Sequence, residues 1–126
     1  MHDDVKRVEL TIPASPEYVV LARLTVAGIA SRMGLSFDDI EDLRVIAAEM
    51  CRLLVGENGG TGTLTLHYLV APDRIEIEAT GQTERPLAPP DDDDLSLHLL
   101  SALADEHEVV MDGHEARVRM VKHRAP

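Results

Sequence analysis

Gly59-Gly60-Thr61-Gly62 is a run of small residues whose backbone N–H groups can cradle a phosphate. It lacks the Lys and Ser/Thr that end a P-loop, so a flexible helix-to-strand connection accounts for it as well. Asp91 to Asp94 are four consecutive carboxylates that can attract a cation. They lack the interleaved spacing of an EF-hand loop, and a solvated acidic loop is the plainer reading. His98, His107, His114 and His123 show no metal-ligand spacing. Cys51 reads as a small buried apolar residue. Arg23 stands among apolar neighbours on a sparsely charged helix, which suits an interface anchor as well as a surface cation. Glu49 has Arg52 three residues on, close enough in a helix to pair with it.

The elements that carry these residues follow from periodicity. Val8, Leu10 and Ile12 alternate with Glu9 and Thr11, the pattern of a half-buried strand that Pro13 ends. Ser15 as N-cap and Pro16 in the first turn predict a helix that runs to about Met33 and stops at Gly34. Ser36 with Asp39 three residues on opens a second helix. Its core stripe is Ile40, Leu43, Ala47, Met50 and Leu54, and Gly56 to Gly62 end it. Leu64, Leu66, Tyr68 and Val70, then Pro72-Asp73, then Ile75, Ile77 and Ala79 predict an antiparallel hairpin. Gly81 to Asp94, with Pro86, Pro89 and Pro90, reads as a mobile, lid-like loop. A short helix over Leu95 to Ala104 precedes a hairpin in which Asp112-Gly113 joins Val109–Met111 to Ala116–Val121. The order β-α-α-β-β-α-β-β predicts an α+β fold: a two-layer sandwich with the helices on one face of a mainly antiparallel sheet.

At 126 residues the chain reads as one domain, residues 1–126, with 44% apolar and 28% charged residues. The net charge of −11 argues against direct nucleic-acid binding, which needs basic surface. With Phe37, Tyr18 and Tyr68 as its only aromatics, the chain also lacks a base-stacking platform. The lone cysteine fits a reducing compartment. With no membrane-length apolar run and no signal peptide, a cytoplasmic location is expected.

Ile12-Pro13-Ala14-Ser15-Pro16-Glu17-Tyr18, Ala22-Arg23-Leu24-Thr25-Val26-Ala27, Asp38-Asp39-Ile40-Glu41-Asp42-Leu43 and Leu103 to Val109 together resemble the bacterial anti-sigma regulatory factor and serine-protein kinase family. That family has the histidine-kinase-like ATPase (Bergerat) fold, and the resemblance spans about Val8 to Lys122. It implies a homodimer, a sigma factor and/or a STAS-type anti-anti-sigma protein as partners, and Arg23 as the residue that touches both. It also implies an ATP/magnesium site made of three boxes, each altered here.

In the first box a general-base Glu precedes a magnesium-binding Asn by one turn. Glu49 matches the base, but Leu53 stands at the Asn position, and a hydrocarbon cannot coordinate a hard cation. Asn58 lies too far along to substitute. The second box, Asp-x-Gly, reads Ala79-Thr80-Gly81: Gly81 remains as a cofactor-binding position and the adenine-binding acid is gone, with Glu78 expected on the opposite strand face. The glycine-rich third box reads Asp94-Leu95-Ser96-Leu97, with Asp91 to Asp94 where phosphates would lie. The resemblance thus implies a regulator that exchanges protein partners. Glu49 is then a vestigial base, no metal is held and no cofactor is expected, with weak nucleotide binding without magnesium as the alternative. An active Ser/Thr kinase acting on a STAS protein, and a module whose old cleft takes a small apolar ligand, stand beside it.

Overall fold

The computed structural model describes residues 5–55, 62–83, 90–112 and 115–124. Gly56, Asn58 to Thr61, residues 84–89, Gly113 and His114, on which some sequence readings fall, lie outside these. The strands are β1 (Lys6–Pro13), β2 (Gly62–Val70), β3 (Arg74–Thr83), β4 (Glu106–Asp112) and β5 (Glu115–His123). They form one five-stranded sheet in the order β1-β2-β3-β5-β4, every pairing antiparallel. The helices are α1 (Val19–Arg32), α2 (Phe37–Val55) and α3 (Leu95–Leu103).

Strand alternation decides the two faces. In register across the sheet stand Val8, Tyr68, Ile77 and Met120, then Leu10, Leu66, Ala79 and Val118, then Ile12, Leu64, Gly81 and Ala116. Nearly all of these are buried beneath the helices. The residues between them carry charge on the other face, where Glu76 accepts from Arg74 Nε at 2.8 Å and Arg119 Nη2 at 2.6 Å. The expected two-layer α+β sandwich is therefore the fold found.

On the helical side, α2 supplies Leu43, Ile46, Ala47, Met50 and Leu54 to the core. Its N-terminus is capped as its sequence requires: Ser36 Oγ accepts from the Asp39 N–H at 3.1 Å. Tyr68 is the one core aromatic among the described residues, and its hydroxyl donates to the Ala22 carbonyl of α1 at 3.1 Å. Phe37, by contrast, is 75% exposed.

Two boundaries differ from expectation. The first helix does not start at Pro16: Pro16–Tyr18 is a 3-10 turn, and Ser15 Oγ donates to Glu17 Oε1 instead of capping. The predicted irregular segment from Gly81 to Asp94 is shorter at both ends. Gly81 to Thr83 continue β3, held in register with Leu64, Thr63 and Gly62 of β2, and Asp94 caps α3.

Gly34, with φ +74°, ends α1 in a Schellman motif. Its N–H donates to the Ser31 carbonyl at 3.1 Å, and the Leu35 N–H to that of Ala30 at 3.2 Å. A Cβ there strains the left-handed backbone, so Gly34→Ala is expected to cost about 1 kcal/mol in urea unfolding.

Cys51 is fully buried in the core, and desolvation pushes its thiol up to about 12. Such a raised acid adds stability below its unfolded value near 9.0, and that contribution is lost as pH climbs towards about 12. Native protein at pH 8 should leave Cys51 unlabelled by a thiol reagent that reacts at once in urea. No helix among the described residues is long and apolar enough to cross a membrane.

Candidate functional site

Among the described residues, the polar ones buried with the core are Glu49 and Ser96, and they meet each other. Glu49 lies on α2, flanked in sequence by the core residues Ala48 and Met50, and is 5% exposed. A carboxylate removed from water to that degree needs partners on both oxygens. Ser96 Oγ donates to Glu49 Oε2 at 2.5 Å, and Arg52 Nη1 donates to Glu49 Oε1 at 2.6 Å. Arg52 keeps most of its side chain in water, whereas the Glu49 side chain is enclosed. The pair is therefore strong at its carboxylate end and screened at its guanidinium end.

Ser96 reaches Glu49 because α3 begins there. Asp94 is its N-cap: its carboxylate accepts from the Leu97 N–H at 3.2 Å, and its carbonyl accepts from the His98 N–H at 3.1 Å. Asp94 and Glu49 both bring negative charge to the first turn of α3, where the helix dipole favours it. The sequence held one sign of Ser96. It lies four residues before Leu100, so the two share a helix face, and Leu100 is wholly buried.

Leu53, one turn beyond Glu49, packs against the core cluster. Ala79 is buried in the sheet between Leu66 and Val118. A Cβ on Gly81 would meet Leu64 Cδ2 at 3.2 Å and Leu54 Cβ at 3.6 Å, so hydrocarbon from β2 and α2 covers that face of the glycine. Among the described residues no group of three or more His, Cys, Asp or Glu side chains could share a metal.

Arg23 stands elsewhere. It lines a cavity of about 260 Å³ between α1 and α2, which Arg52 also lines. Its Nε is buried and has no hydrogen-bond partner among the described residues. Outside the cavity, Leu21 and Leu24 of α1 are 40% and 58% exposed. A second cavity, of about 540 Å³, lies between α3 and β4 and is lined by Leu97, His107, Val109 and Met111 among others. Neither of these two cavities touches Glu49, Leu53, Ala79 or Gly81.

Residues 12–122 match the model of the histidine kinase-like ATPase domain. Curated relatives include the serine-protein kinase RsbW of Bacillus pumilus, 43% identical over 82 residues that make up 61% of this chain and 51% of that protein. RsbW of Bacillus licheniformis is 36% identical over 126 residues, covering 83% of this chain and 78% of that protein. RsbW of Bacillus cereus is 30% identical over 131 residues, covering 89% and 82%. A match across residues 12–122, which takes in all three helices, is a family relationship: the chain belongs to the histidine kinase-like ATPase domain family.

Proposed function

We propose that this chain is an anti-sigma-type regulator of transcription that acts in the cytoplasm by exchanging protein partners, without transferring phosphate. The observation that carries the second half is the engagement of Glu49. A general base needs a free lone pair aimed at the nucleophile it deprotonates. Here Ser96 takes a lone pair on one oxygen and Arg52 one on the other, and the side chain is enclosed, which leaves little of the carboxylate for a nucleophile to reach. Three further observations support it. Leu53 offers no oxygen to magnesium. The Leu97 N–H in the first turn of α3 is taken by Asp94. Leu54 and Leu64 pack against Gly81, the one glycine kept from the adenine box. Together these residues support the reading that ATP with magnesium is not held here.

Partner binding is assigned to α1, with Arg23 as its charged anchor and exposed Val20, Leu21 and Leu24 around it. The partners are a sigma factor and/or a STAS-type anti-anti-sigma protein, bound by a homodimer of this chain.

Calorimetric titration with ATP and magnesium tests the loss of chemistry, beside a Leu53→Asn, Ala79→Asp double variant. The natural protein should give no binding heat. One observation favours a second reading, a working serine kinase: Glu49 itself is kept at the position of the base. Micromolar binding, followed by transfer of labelled phosphate to a STAS protein, would establish that reading and end the first.

A further inference from the structure

Arg52 has two neighbourhoods. Its Nη1 holds Glu49 Oε1, and its side chain also lines the α1–α2 cavity together with Arg23. The other cavity walls, Val19, Val20, Ala48 and Val55 among them, are apolar. Two arginine side chains thus line one small space, and the buried Nε–H of Arg23 has no acceptor among the described residues. A guanidinium is a planar fork of donors that matches a carboxylate. A carboxylate entering the cavity meets both arginine side chains and competes with Glu49 for Arg52.

Glu49 cannot follow Arg52 into water, because its side chain is enclosed on α2. Drawn off Arg52, it keeps only the Ser96 hydroxyl, and a buried carboxylate short of a partner is unfavourable. That penalty falls on the contact that holds the first turn of α3 against α2. We propose that Arg52, Glu49 and Ser96 form a relay that couples carboxylate occupancy of the α1–α2 cavity to the hold of α3 on α2. The coupling is reciprocal: whatever fixes α3 also keeps Arg52 on Glu49 and out of the cavity. It needs no nucleotide and stands whether or not the partner-exchange reading holds.

The test supplies the carboxylate from the chain itself. Val20 lies on the cavity wall and is 39% exposed, so Val20→Glu places an acid beside both arginines, and Val20→Gln is its neutral control. Amide hydrogen exchange of the whole chain is the readout. Exchange at Leu97 to Leu100 should be about tenfold faster in Val20→Glu than in Val20→Gln, with β2 and β3 amides alike in both. In an Arg52→Met background the difference should vanish. Equal exchange in the two Val20 variants, or a difference that survives Arg52→Met, overturns the proposal. Ser96→Ala gives an independent check, since α3 amides as protected as in the natural protein would show that Ser96 holds nothing.

Discussion

Tyr68→Ala is expected to lose about 3–5 kcal/mol of folding free energy, the range for truncating a large buried aromatic. Tyr68 is fully buried and stands in register with Val8 and Ile77 on neighbouring strands. No other core aromatic among the described residues can move in to fill the space, and close-packed interiors relax only in part. Tyr68→Phe separates the hydroxyl from the ring. It removes only the bond to the Ala22 carbonyl and should cost about 1 kcal/mol. Urea denaturation of both variants checks the pair. A Tyr68→Ala loss as small as that of Tyr68→Phe would mean that the sheet and α1 are not packed through this ring.

The second large effect concerns binding. Arg23→Ala should weaken association with the protein partner by about 2–4 kcal/mol, the scale of an interface hot spot. Its guanidinium sits where α1 meets the cavity, its Nε unpaired, with exposed Val20, Leu21 and Leu24 beside it. Apolar neighbours shield a charge–carboxylate contact from water, which is the setting in which such a contact is strong. Because Arg23 makes no hydrogen bond through Nε within the fold, the variant should melt close to the natural protein. Biolayer interferometry against a candidate sigma factor or STAS protein checks the affinity, and a thermal scan checks the fold. Unchanged affinity, with a partner in hand, would remove Arg23 from the interface.

How far the residues foretold this differs from place to place. The strands were legible because one side of the sheet is buried, which forces alternation on Leu64, Leu66, Tyr68, Ile75 and Ile77. The start of α2 was legible because Ser36 and Asp39 satisfy its free N–H groups locally. Gly81 to Thr83 were not. Glycine weakens any strand pattern, and what keeps these residues extended is pairing with Gly62 to Leu64, which are distant in sequence. The start of α1 misled for a related reason: Ser15 and Pro16 carry the residue types of a helix start but build a 3-10 turn first. At the site, a helical spacing suggested that Glu49 pairs with Arg52. Its second partner, Ser96, lies forty-seven residues away and depends on how α3 docks, which no local pattern encodes.

The place of β5 has a consequence for synthesis. It is an inner strand, flanked by β3 and β4, although it is the last strand described. Its end also ties down the helices. Lys122 Nζ donates to the Leu103 carbonyl at the end of α3 and lies 3.6 Å from Asp42 of α2, and Arg124 Nη1 donates to the Met33 carbonyl at the end of α1. A nascent chain that has left the ribosome only as far as β4 has a β3 without its neighbour and two helix ends without their cations. The sheet therefore closes late, after residue 124 has emerged, and until then the apolar faces of β2, β3 and α2 are open to chaperones.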